Sequence, residues 1–268
     1  MSPGADAARG LPRFVTWPVD AAVTLALWTY FTLGFVVLFA PFHLLAVALA
    51  PDRARACQRI NHLFFRGFFR LCRVLMPLQR WQVDPALAGV AGSVVVCNHL
   101  SYIDPLLMIA LFPRHTTVVK DRLFGIPIFG SMLRLSGYLG STAPGPEAER
   151  TLGQLERMPA FLAGGGNLFI FPEGTRSRDG SVGPLNAGAF KIARLCRAPV
   201  AVAAIENTQR VFTPGRFLFD TCRANTITVR LLGRLTPAYD RPDFSTRALM
   251  AQVRTLLEPA AREATAER

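Results

Sequence analysis

Val95-Val96-Cys97-Asn98-His99-Leu100-Ser101-Tyr102-Ile103-Asp104-Pro105 opens with an apolar run and ends on a helix-start signature. Three β-prone residues without a charge read as a strand buried on both faces, the kind found in parallel sheets. Asn98 and His99 then enter a turn, and Ser101-x-x-Asp104 resembles a capping box at the start of a helix. A buried strand feeding a helix through a polar turn is the repeating unit of an α/β fold.

The same pattern recurs outward from this stretch. Strand-like runs fall at 93–97, 116–119, 167–171, 200–205 and 226–232, with helix-like stretches near 103–112, 148–163, 186–197 and 245–257. Alternation of this kind predicts a mostly parallel or mixed central sheet flanked by helices over residues 81–268.

The N-terminal part is different. Residues 1–20 are rich in Gly and Pro and read as a flexible N-terminus. Residues 21–50 hold no formally charged side chain, and about 20 apolar residues suffice to cross a bilayer core. Pro41 and His43 interrupt that run, so it reads as one kinked spanning helix or as two short helices forming a hairpin in one leaflet. Trp17, Trp28 and Tyr30 suit an interface. Residues 51–80 carry seven Arg against one acid, Asp52. Arg59, Arg66, Arg70 and Arg73 share one helical face while Phe64, Phe65, Phe68, Phe69 and Leu75 fill others, which predicts a basic amphipathic interfacial helix. The alternative is a helix packed on the domain by its Phe side. Arg beside the apolar run places this side in the cytoplasm.

Composition agrees with a lipid surface. The chain of 268 residues has a net charge of +12 but only 18% charged residues, below the roughly 25% of an ordinary soluble domain. A greasy and basic chain fits an anionic membrane better than nucleic acid. Lys120 and Lys191 are the only lysines among 30 basic residues. The five cysteines are scattered without a CxxC pair, which argues against a disulfide framework or a zinc site and fits a reducing compartment.

Two strand ends carry the chemistry. His99 follows a strand, and Asp104 five residues later can fold back to one ring nitrogen, leaving the other as a base. The second segment, Phe171-Pro172-Glu173-Gly174-Thr175-Arg176-Ser177, ends a strand with a carboxylate, a flexible Gly, a hydroxyl and an Arg. Arg with exposed backbone amides suits a phosphate or an oxyanion. Read separately, each could equally be an ordinary turn.

Asn-His-x-x-x-x-Asp followed about 70 residues later by Phe-Pro-Glu-Gly-Thr-Arg-Ser resembles the glycerolipid acyltransferase family, over roughly residues 80–235. The resemblance implies transfer of a fatty acyl group from acyl-CoA or acyl carrier protein to a lysolipid hydroxyl, with no metal or organic cofactor. It implies His99 as general base and Asp104 as its orienting partner. Glu173, Gly174, Thr175 and Arg176 would line an acceptor-phosphate site, and Asn98 would support the turn. Two positions depart from the family pattern: Ala143 stands where an Arg is usual, and Val202 where a strand proline is usual. Arg150 is the next Arg along; Lys120, at the end of strand 116–119, is the substitute charge, or else the acceptor lacks phosphate. The acceptor is expected to be 1-acylglycerol-3-phosphate, or a lyso-aminolipid such as a lyso-ornithine lipid. A non-catalytic protein that binds anionic lipid is the third alternative.

Overall fold

The computed structural model describes residues 13–141, 147–177 and 180–266. The chain begins with α1 (Arg13–Thr29), a π-helical stretch (Tyr30–Phe39) and α2 (Ala40–Leu49), followed by α3 (Arg53–Leu75). Then come β1 (Gln79–Val83), β2 (Val94–Cys97), α4 (Asp104–Leu111), β3 (His115–Val119), α5 (Phe129–Leu135) and β4 (Leu139–Gly140). The remainder is α6 (Ala148–Ala163), β5 (Asn167–Ile170), α7 (Gly188–Leu195), β6 (Val200–Glu206), α8 (Thr208–Val211), β7 (Asn225–Leu235) and α9 (Thr246–Ala266).

The seven strands lie in the order β1-β7-β6-β2-β5-β3-β4. From β6 to β4 all neighbours are parallel, so β2, β5, β3 and β4 deliver their C-terminal ends to one edge. β7 runs antiparallel to β6 and pairs with β1, making the sheet mixed. In β2 the side chains of Val94, Val95, Val96 and Cys97 are fully buried, which is why that strand shows no alternation. At Val202, where the family proline is missing, the strand is fully buried, and its pairing with β7 shifts register between Val202 and Ala203.

Residues 14–49 form one unbroken helical run of 36 residues, long and apolar enough to cross a membrane. The two short helices allowed by the sequence are not what forms. Residues 13–20, expected to be loose, are its first turns, while 1–12 lie outside the described residues. Pro41 has no N–H to donate and enters near the start of α2, directly after the π-helical stretch that re-spaces the bonds. One face of the run is held by the rest of the molecule. Asp20 Oδ1 accepts the Thr221 N–H, Thr24 Oγ1 accepts the Phe219 N–H, and Tyr30 Oη donates to the Phe64 carbonyl. His43 Nε2 lies 2.9 Å from Asn61 Oδ1, and Asn61 Nδ2 donates to Ser136 Oγ. The other face, including Trp17, Leu33, Val37 and Leu44, is exposed.

α3 packs on the domain by its Phe side, as the alternative reading has it. Phe64, Phe65, Phe68 and Phe69 are buried in the main core rather than turned to a bilayer. Burying each contributes roughly 1.5–3 kcal/mol, so this face is occupied by the fold. Arg59, Arg66, Arg70 and Arg73 remain exposed along the opposite face. The sheet also starts earlier than residue 81, because β1 begins at Gln79.

Candidate active site

β2 delivers Asn98 to the sheet edge, and the side chain continues the ladder. Asn98 Nδ2 donates to the Ile205 carbonyl at 2.8 Å while Asn98 Oδ1 accepts the Ile205 N–H at 2.7 Å. Asn98, expected to support the turn, is committed to the end of β6, where it fixes the point at which the chain leaves the sheet.

His99 is then held by both backbone groups. Its N–H donates to Glu173 Oε1 at 3.2 Å and its carbonyl accepts the Ser177 N–H at 2.8 Å. The ring lies stacked on Phe171, with centroids 4.4 Å apart. His99 Nδ1 is 2.9 Å from Asp104 Oδ2. A carboxylate there places the proton on Nδ1 and leaves the Nε2 lone pair free to act as a base. The side chain is 16% exposed, so the ring is largely shielded but not sealed from outside.

Asp104 is fully buried. Its Oδ2 also accepts the N–H groups of Leu100 (2.6 Å) and Ser101 (2.7 Å), and Oδ1 accepts Thr208 Oγ1–H (2.6 Å). A carboxylate at the first turn of α4 is further favoured by the helix dipole. Only half of the expected capping box forms: Asp104 reaches back to Ser101, whereas Ser101 Oγ donates to the Phe212 carbonyl.

The turn after β5 closes the site. Glu173 was expected to face an acceptor, but its carboxylate bridges His99 N–H and Gly183 N–H (2.9 Å), so it ties two segments together. Burial pushes its carboxyl above the ordinary Glu value, opposed by those two N–H groups and by the charges of His99 and Arg254. Arg254 in turn donates to the Gly183 carbonyl. Gly174 has φ +68°, the left-handed region, which lets the chain turn back without Cβ strain. Thr175 is exposed. The Arg176 guanidinium sits 3.5 Å above the Tyr102 ring centre, and its buried Nη1 has no hydrogen-bond partner among the described residues.

Lys120 lies at the same sheet edge, exposed at the end of β3, with β5 between it and β2. Arg150 cannot replace the missing Arg, because Glu147 and the Tyr138 carbonyl hold it against Phe124. Ala143 lies outside the described residues. Tyr102 and Thr208 were not singled out from the sequence. Tyr102 sat unremarked inside the first motif, and Thr208 has no local signal because its partner is 104 residues away.

A cavity of about 360 Å³ adjoins this region. Leu27, Trp28, Phe31, Ile103 and Phe212 line it, and Tyr102, the residue under Arg176, forms part of its wall. Among the described residues no three His, Cys, Asp or Glu side chains gather as metal ligands.

The acyltransferase family profile matches residues 86–206. A chloroplastic 1-acyl-sn-glycerol-3-phosphate acyltransferase of Brassica napus is 31% identical over 122 residues, which are 46% of this chain and 35% of that protein. The enzyme of the same name from Salmonella typhimurium is 27% identical over 183 residues, 66% of this chain and 71% of that one. The chain spans about a third of the Brassica and Arabidopsis relatives it matches. The crystal structure of the 1-acyl-sn-glycerophosphate (LPA) acyltransferase of Thermotoga maritima superposes with a TM-score of 0.70 at 21% identity, covering 94% of this chain and 97% of that one, which is a likeness of fold. The matched segment, residues 86–206, holds both motifs, and it is there that this chain is similar to the acyltransferase family.

Proposed function

We propose that the protein transfers a fatty acyl group from a thioester, acyl-CoA or acyl carrier protein, to the free hydroxyl of a lysolipid, with 1-acylglycerol-3-phosphate as acceptor. The observation that carries this reading is the His99–Asp104 pair at 2.9 Å, clipped through both backbone groups of His99 to the turn bearing Arg176.

His99 Nε2 takes the proton of the acceptor hydroxyl as its oxygen attacks the thioester carbonyl. Asp104 stabilises the imidazolium that results. The tetrahedral intermediate expels the thiolate, which recovers the proton from His99, and an ester replaces the thioester. Positioned general-base catalysis contributes about 10²–10⁴-fold. Arg176, stacked on Tyr102, supplies positive charge for the acceptor phosphate, and Lys120 adds charge at the same edge. The apolar cavity beside Tyr102 suits an acyl chain. The chemistry needs no metal or organic cofactor.

We also read the protein as lying on a membrane rather than crossing it. The exposed apolar face of residues 14–49 supports membrane association. α3 packs along this helix through Tyr30–Phe64 and His43–Asn61, with Arg59 and Arg66 exposed. A crossing helix would draw those Arg into hydrocarbon, at about 2.5–3.5 kcal/mol each near the bilayer centre. Lying in the plane of one leaflet keeps them at headgroups, and their charge suits the anionic cytoplasmic leaflet.

A lyso-aminolipid acceptor is the second reading, favoured by the commitment of Arg150 to Glu147 and Tyr138. Purified protein supplied with a radiolabelled acyl thioester is tested on lysophosphatidate and lyso-ornithine lipid side by side. Labelled phosphatidate supports the first reading, labelled ornithine lipid the second. Lipid binding without transfer to either contradicts both.

A further inference from the structure

The Asp104 carboxylate is held unevenly. Oδ2 receives three donors, from Leu100, Ser101 and His99, while Oδ1 receives one, the Thr208 hydroxyl, at 2.6 Å. Both Asp104 and Thr208 are fully buried, so water does not stand in for that bond. Thr208 reaches this position because β6 ends at Glu206 and Asn207 turns the chain through the left-handed region, φ +64°. The same short segment is fastened a second time, by Ser101 Oγ to the Phe212 carbonyl.

We infer that Thr208 is a positioning residue for the base: its hydroxyl fixes the rotation of the Asp104 carboxylate, so that Oδ2 stays on His99 Nδ1. This rests on the reading of His99 as the general base. Removing the hydroxyl leaves Oδ1 with no donor among the described residues. The carboxylate then gains by rotating to share its three remaining donors, and any rotation weakens the bond to His99. The imidazole loses its fixed tautomer, and the Nε2 lone pair is presented only part of the time. Thr208 touches neither substrate nor reacting atoms, so kcat is affected and the acceptor KM is not.

The test uses Thr208→Val, nearly the same shape without the hydroxyl, and Thr208→Ser, which keeps it. Kinetics are combined with nitrogen-15 NMR of labelled histidines in the detergent-solubilised full chain, where four histidines are present. The expected result is a kcat about tenfold lower in Thr208→Val, unchanged KM, and recovery in Thr208→Ser. His99 should show a single Nδ1–H tautomer in the wild type and mixed tautomers in Thr208→Val. In an Asp104→Asn background, Thr208→Val should add no further loss, since both act through one group. An unchanged tautomer in Thr208→Val, a loss that persists in Thr208→Ser, or full additivity with Asp104→Asn would overturn the inference. If the wild type transfers no acyl group to any lysolipid, the functional reading fails, while the tautomer measurement still decides the role of Thr208.

Discussion

Glu173 and His99 are joined main chain to side chain across 74 residues: Glu173 Oε1 accepts the His99 N–H, while its other oxygen accepts the Gly183 N–H. The two motif-bearing turns are therefore one mechanical unit, closed from the other side by Ser177 N–H on the His99 carbonyl. Glu173→Ala leaves both N–H groups without their acceptor and should cost about 1–3 kcal/mol of stability for each group left buried and unpaired. Thermal unfolding of purified variant and wild type measures this; an unchanged midpoint would mean that the bridge is dispensable.

The Glu173 carboxyl also predicts a pH dependence. Burial raises its pKa in the folded state above that of the unfolded chain. The folded protein thus binds the proton more tightly, and stability falls as pH rises from the ordinary Glu range through the raised value. In Glu173→Gln this component should vanish, so the difference in unfolding free energy between the two proteins should vary with pH across that window. A difference that is flat there contradicts the shift.

Arg176 stacked on Tyr102 predicts a loss specific to charge. A hydrogen bond to a charged group is worth about 1.5–3 kcal/mol, so Arg176→Ala should raise the KM for a phosphate-bearing lysolipid about 10–100-fold. Arg176→Lys should recover little, because a point charge replaces a planar fork. Equal effects on a phosphate-free acceptor would remove Arg176 from the phosphate site.

The exposed Arg of α3 predicts charge-dependent docking. Each contributes about 1 kcal/mol at an anionic surface. Changing Arg59, Arg66, Arg70 and Arg73 together to Gln should weaken binding to phosphatidylserine vesicles by two to three orders of magnitude, with little change on phosphatidylcholine. Sedimentation with the two vesicle types distinguishes this from a loss of the apolar contact, which would affect both.

Much of this arrangement is legible in the sequence where a signal is local. The buried run 94–97 marks its strand because every side chain faces core, and α6 spans the predicted residues 148–163 because Leu155, Met158 and Leu162 recur at helical spacing despite Pro159. His99 and Asp104 are readable as a pair because a short turn between them lets Asp104, the first residue of α4, fold back to the ring. β1 and β4 escape notice for physical reasons: Gln79–Val83 is a half-polar edge strand, and Leu139–Gly140 is two residues long. The α3 phenylalanines show apolarity but not what they meet, and only the fold decides between bilayer and core. The partners of Asn98, Glu173 and Thr208 are illegible for one shared reason. They lie 107, 74 and 104 residues away, and a hydrogen bond across that separation leaves no periodicity.

The central claim is that His99 acts as the base of an acyl transfer. It is tested most directly by incubating the purified protein with radiolabelled acyl thioester and lysophosphatidate and comparing wild type with His99→Ala at equal folded concentration. The account predicts labelled diacyl product from the wild type and a rate lower by about 10²–10⁴-fold or more in the variant. Transfer that persists undiminished in His99→Ala would contradict it.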